Sequence, residues 1–248
     1  MGSVGTRIQL CGRVVVELDG ERIDGRLPGR QGRVLFVYLA ANRLREAGRD
    51  ELMEALWPGE LPAAADSALS ALLSKLRRVV GPERLEGRSG LRLLLPADAW
   101  IDLEAARDGV HRAESAIARA DWVAAWGPAR VAQHIAVREF LPSEDAPWID
   151  ERRSALDELY LRSLELAGQA AFGIGGAELD TAERAARSLV ARAPYRESGQ
   201  RLLMEVLERR GNSAEALRVY EALRVRLREE LGVAPAQPTQ ELHRRLLG

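Results

Sequence analysis

The sequence predicts an α+β domain over residues 1–97, followed by an all-α domain over 98–248. Three observations carry this division. β-rich runs with a two-residue turn signal are confined to the first two dozen residues. Three helical periodicities and a second hairpin follow, up to about Leu95. From Pro96 onward strand signals vanish, and helical segments come in pairs.

In the first region, Arg7–Cys11 and Arg13–Leu18 are strand-like runs on either side of Gly12. Asp19-Gly20 is a hairpin turn signal, because type I′ geometry requires positive φ at both central positions. Glu21-Arg22-Ile23 returns as the partner strand, so a small antiparallel sheet should end near Pro28. A helix follows with Val34, Leu35, Tyr38 and Leu39 on one face. A second, opened by Gly48-Arg49-Asp50, carries Leu52, Met53, Leu56 and Trp57, and Pro58-Gly59 ends it. A third is expected over 66–80, with Asp66 as N-cap and Gly81-Pro82 as stop. Its apolar positions 69, 72, 73, 76, 79 and 80 form one buried face. The opposite stripe is Ser67, Ser70, Ala71, Ser74, Lys75 and Arg78, short-chained for two turns and then basic. Such a stripe fits a DNA major groove, with cations holding phosphates at the rim. It equally fits a surface helix whose basic end complements its dipole. Glu83–Glu86 and Leu91–Leu95 then read as two short strands around Gly87-Arg88-Ser89-Gly90.

In the second region, helices are expected near 102–118, 122–138, 150–172, 178–192, 196–210, 213–230 and 238–247. Asp98–Asp102 reads as the junction. An internal repeat is visible: Ala120-Asp121-Trp122 through Trp126 aligns with Gly211-Asn212-Ser213 through Leu217, and Asp180–Ala185 fits the same frame. Gly211-Asn212 with Glu215-Ala216-Leu217 and Tyr220-Glu221 resembles the second helix of a tetratricopeptide repeat.

Composition narrows the function classes. The net charge is −1, divided as +3 over residues 1–95 (15 basic, 12 acidic) and −4 over 96–248 (21 basic, 25 acidic), so any nucleic-acid contact must be local. The single Cys11 excludes an internal disulfide and a cysteine-rich metal site. With no apolar run long enough to span a bilayer and no secretory signal in the first residues, a cytoplasmic protein with no membrane partner is expected. Lys75 is the one lysine and follows no Gly-rich loop, and Gly173–Gly176 lacks dinucleotide spacing. His111, His134 and His243 stand apart from one another without paired cysteines. No catalytic residues, no metal and no cofactor are expected, and the chain is not read as an enzyme.

The order sheet, three helices, hairpin, with the segments Gly12–Gly20, Asp50–Pro58 and Ser74–Gly81, resembles the OmpR-type winged helix-turn-helix. More narrowly, it is similar to the DNA-binding half of the Streptomyces antibiotic regulatory protein (SARP) family. Pro147–Arg153, Leu156, Leu159, Leu164 and Arg228–Pro235 resemble the bacterial transcriptional activator domain that accompanies it. The resemblance implies a winged-helix domain over 1–97, a tetratricopeptide-like activator domain over 98–248, and a transcriptional activator that binds promoter direct repeats and recruits RNA polymerase. The implied DNA contacts are Ser67, Ser70, Ala71, Ser74, Lys75 and Arg78 on the recognition helix, with Arg88 and Arg92 on the wing. Pro58, Glu60, Leu61 and Pro62 fall in the loop that meets polymerase, through its σ factor or α subunit. A homodimer on double-stranded DNA is open under this reading. The rival reading is a protein-interaction regulator whose DNA reader has lost strong specificity and whose helical domain docks a partner, since serines discriminate weakly among base edges and Ala71 offers only a methyl contact.

Overall fold

A computed structural model describes residues 5–248. The first four residues, part of the stretch read for a secretory signal, lie outside the described residues. The chain is mostly helical, with small sheets confined to its N-terminal part. It forms two compact units: residues up to Ala105 together with Arg138–Leu156, and Ala106–Val137 together with Asp157–Gly248. Residues 138–156, on the C-terminal side of a cut at 97/98, thus pack with the N-terminal residues.

The first unit opens with β1 (Arg7–Gln9), β2 (Val15–Leu18) and β3 (Glu21–Arg22). Asp19 (φ 50°) and Gly20 (φ 80°) turn β2 into β3 as the Asp-Gly signal requires, pairing Leu18 with Glu21. Helix α1 (Gly29–Ala41) is followed by the two-residue β4 (Ala47–Gly48), α2 (Arg49–Leu56) and α3 (Ala65–Val80). A hairpin of β5 (Leu85–Glu86) and β6 (Gly90–Leu93) closes this part, with β4 on the other side of β6. The strand β7 (Trp100–Ile101) then lies parallel to β1, giving the order β3-β2-β1-β7. The junction expected at 98–102 is therefore part of the sheet. Parallel pairing between segments so distant in sequence leaves no local signal.

Asp102 follows β7 and is fully buried. Its Oδ1 accepts from the amides of Leu10 and Leu103, both at 2.9 Å, and its Oδ2 accepts from the Cys11 amide at 2.9 Å. The carboxylate extends the β1–β7 ladder where backbone pairing stops. Burial pushes its pKa upward, while the amides of Cys11 and Leu10 and the charge of Arg138 pull it back. Beyond it, Cys11 bridges Phe140 and the Gly12 amide donates to the Glu139 carbonyl at 2.7 Å. Trp148 closes the same layer: its Nε1 donates to the Ala55 carbonyl at 3.1 Å, and its ring meets Tyr38 and Phe140 edge-on at 4.9 and 5.9 Å. Arg153 holds the 139–145 segment by donating to the carbonyls of Phe140, Leu141 and Glu144 at 3.1, 3.1 and 2.8 Å.

The second unit draws on α4 (Asp102–Ala118), α5 (Trp122–Ala136), α6 (Pro147–Ile174), α7 (Leu179–Arg192), α8 (Glu197–Arg209), α9 (Ser213–Arg226) and α10 (Gln237–Leu247). These bounds lie within a few residues of the periodicity-based expectations, except that α9 gives way to a π turn at Leu227–Leu231. Small residues set the helix spacing. Ala182, Ala186 and Ala216 are fully buried among Leu202, Leu203, Leu207 and Tyr220. A Cβ on Gly199 would sit 2.8 Å from the Leu189 side chain, so α7 and α8 approach at glycine distance. Asp121 caps α5 by accepting from the Ala124 amide at 3.1 Å.

Asp102→Asn keeps the shape but turns one N–H donor toward a backbone N–H donor. The variant should lose about 1–3 kcal/mol of stability, the cost of one unmatched buried donor. Chemical denaturation should show a lowered midpoint at unchanged slope; an unchanged midpoint would mean that the three amide bonds do not hold the sheet end.

Candidate nucleic-acid interface

Helix α3 is two-faced. Leu69, Leu73, Leu76 and Val80 are buried, while Ser67, Ser70, Ala71, Ser74, Lys75 and Arg78 are all exposed along the opposite side. The periodicity that predicted a buried stripe thus also sets the outward one. One local expectation is corrected: the helix begins at Ala65, with Ala64 at the cap position and no side-chain cap bond. Asp66 instead lies in the first turn, and its carboxylate is paired with Arg49 at 2.7 Å. A carboxylate there still complements the positive end of the helix.

Arg49 is a residue that the sequence reading missed. It stands at the start of α2, where a cation is unfavourable to the helix dipole and needs acceptors from elsewhere. Besides Asp66 Oδ1 (2.9 Å), it donates through Nη2 to the Asp66 carbonyl at 3.2 Å and to Ser70 Oγ at 2.8 Å. It therefore fixes the first turns of α3 and engages one hydroxyl of the outward stripe. The unfavourable place of a cation at a helix start is the signal that could have pointed to it.

Arg77 was likewise not singled out. It turns away from Lys75 and Arg78 toward the hairpin, where it donates to the carbonyls of Leu85 (3.3 Å) and Gly87 (2.8 Å). The hairpin turn depends on Gly87: at φ 94° a Cβ would lie 1.7 Å from the Gly90 carbonyl oxygen. Arg88 at the tip is exposed and has no carboxylate partner among the described residues. Arg92 differs, being half-buried and paired across the strands with Glu86 at 3.3 Å. The structure thus places Lys75, Arg78 and Arg88 outward as unpaired cations among the described residues, while Arg92 is held by the hairpin itself.

The connection from Pro58 to Ala64 is exposed throughout, and Leu61 keeps 53% of its surface. Glu60 makes no ion pair among the described residues. The loop ends where the Ala65 amide donates to the Pro62 carbonyl at 3.0 Å. The α1–α2 turn is held by Glu51, which accepts from Arg45, the Tyr38 hydroxyl and the Gly48 amide (3.2 Å). These donors, Arg45 first, depress the Glu51 carboxyl from its ordinary 4.5 to about 2.

No cluster of three or more metal-ligating side chains occurs among the described residues. His243 stacks on Tyr220 with centroids 3.7 Å apart, and His111 and His134 are exposed. Among the described residues, no helix is long and apolar enough to cross a membrane.

A depressed carboxyl contributes stability above its unfolded-state pKa and loses it as pH falls through the folded value. The α1–α2 turn should therefore weaken between pH 4.5 and about 2. Glu51→Gln should be less stable at neutral pH and flatter across that acid range, read by thermal denaturation; parallel curves would exclude Glu51 as the source.

Residues 101–247 match the family described as bacterial transcriptional activator domain. The chain is 35% identical over 244 residues to the regulatory protein AfsR of Streptomyces coelicolor, covering 97% of this chain and 24% of that one. It is 26% identical over 256 residues to the transcriptional regulatory protein EmbR of Mycobacterium tuberculosis, covering 96% and 62%. The chain thus spans about a quarter of AfsR and under two thirds of EmbR. A solved structure of Mycobacterium tuberculosis EmbR in complex with a low affinity phosphopeptide superposes with a TM-score of 0.85 at 23% identity, covering 98% of this chain and 65% of that one. With the family match over more than half its length, the chain belongs to the bacterial transcriptional activator domain family and is similar to regulators of the SARP type.

Proposed function

We propose that the chain is an activator that binds promoter DNA through a winged helix-turn-helix domain and joins it to a tetratricopeptide-like domain. The observation that carries the reading is the exposed stripe on α3, whose other face is buried and whose two ends are tied down by Arg49 and Arg77. In the major groove, Ser67, Ser74 and Ala71 face base edges while Lys75 and Arg78 hold phosphates. The β5–β6 hairpin is the wing, and Arg88 at its tip enters the adjacent minor groove. Arg92 supports the wing through Glu86. The family resemblance adds direct repeats as the DNA site and RNA polymerase as the partner of Pro58, Glu60, Leu61 and Pro62.

A specific observation favours a second reading, a regulator that acts chiefly through protein contacts. Ser70 already accepts a bond from Arg49, which leaves the stripe with few free groups for base discrimination. A mobility-shift assay on the protein's own upstream region, with unrelated DNA as competitor, separates the two.

Lys75→Ala should weaken binding to all DNA sequences about equally and make the salt slope shallower by about one unit. An unchanged affinity at low salt would place α3 outside the groove. Glu60→Ala combined with Leu61→Ser should leave promoter affinity nearly intact while lowering transcription in a purified system. Parallel loss of both would make the loop a structural spacer.

A further inference from the structure

A polar cavity lies within the helical unit, apart from the α3 stripe. It occupies about 320 Å³ between α5, α6 and α7. Its floor is apolar and small, formed by Leu164, Ala167 and Ala185. One wall is Trp126, half-buried and packed against the helical core. Two arginines, Arg130 and Arg184, line it, and no aspartate or glutamate does.

The state of those arginines is the informative feature. Arg130 lies over the Trp126 ring, its guanidinium carbon 5.5 Å from the centroid, and donates through Nη1 to Gln133 Oε1 at 2.9 Å. Arg184 donates through Nη2 to Thr181 Oγ1 at 2.9 Å. Neither makes an ion pair among the described residues, whereas nearby Arg187 is paired with both Glu183 and Glu215. A guanidinium carries five N–H donors in a planar fork, so each retains most of its donors for a planar or tetrahedral anion. Gln133 and Thr181 orient the two forks.

We propose that this cavity binds a small organic anion: a carboxylate or phosphate held between Arg130 and Arg184, attached to a flat apolar body lying along Trp126 and the alanine floor. The volume is at the small end of ligand pockets, which sets the size of the guest. Mixed lining sets its chemistry, since the anion needs both guanidinium groups and the apolar body needs the tryptophan wall. This inference is independent of the DNA reading.

Calorimetric titration of the intact chain with phenyl phosphate, inorganic phosphate and benzyl alcohol tests it. Phenyl phosphate should bind saturably at one site. Inorganic phosphate, which lacks the flat body, should bind about tenfold or more weakly, and benzyl alcohol should give no saturable heat. Arg130→Gln and Arg184→Gln should each reduce phenyl phosphate affinity by about tenfold or more, the loss expected for one charge-assisted contact. Arg218→Gln, an exposed change outside the cavity, should leave it unchanged. Circular dichroism and a thermal midpoint check that each variant is folded. A folded double variant that binds like the original overturns the proposal, as does the absence of saturable binding. Benzyl alcohol binding as well as phenyl phosphate would also overturn it, because the arginines would then contribute nothing.

Discussion

Three backbone amides converging on one buried carboxylate hold the N-terminal unit together. Past Gln9 the amides of Leu10 and Cys11 turn to the Asp102 carboxylate, and the chain stays buried through Cys11. Unpaired amides at that depth would be costly, and Asp102 receives two of them while also meeting the amide of Leu103. The bond links residues that are 92 apart in sequence. It sets where β7 stops, where α4 starts and how the edge of the sheet is handed to the segment around Phe140. Trp148 and Arg153 then build on that edge, and Trp148 reaches Ala55 on α2, the helix against which α3 packs.

Arginine serves this protein in several distinct ways. Arg49, Arg77 and Arg153 act as multi-pronged donors to backbone carbonyls, and Arg49 also reaches a hydroxyl. Arg92 neutralises a cross-strand glutamate. Arg78 and Arg88 remain outward and uncommitted among the described residues, beside the solitary Lys75. A near-zero net charge is therefore compatible with a locally positive surface, because acids and bases cancel mostly within ion pairs elsewhere on the chain.

The legible part of the fold was the part governed by local periodicity. Apolar spacing located every long helix, and Asp19-Gly20 located its turn. The outward stripe of α3 was equally legible, since it is the complement of a buried stripe. Long-range pairing was not. Asp102 looked like a linker residue because its partners lie near the other end of the unit. Asp66 looked like an N-cap because its type suits that role, but an arginine on the preceding helix competes for it. Residues 147–153 carried the resemblance to the activator domain, and that similarity gave no hint that they pack with the N-terminal residues.

The discontinuity of the first unit has a consequence for how the chain comes into being. Its sheet edge and the tryptophan that seals α2 are supplied by residues 138–156, so everything between Ala105 and Arg138 must be synthesised before that unit can close. On the ribosome, an N-terminal domain ordinarily has the advantage of folding first. Here the part bearing α3 must wait, with Leu10, Cys11 and Tyr38 lacking their partners Leu141, Phe140 and Trp148, until residues 138–156 have emerged. The loop that must close is long, which slows the step without greatly lowering final stability. A nascent chain stalled early would therefore present an unfinished N-terminal unit, and α3 would gain its rigid seat only after residues 138–156 had been made.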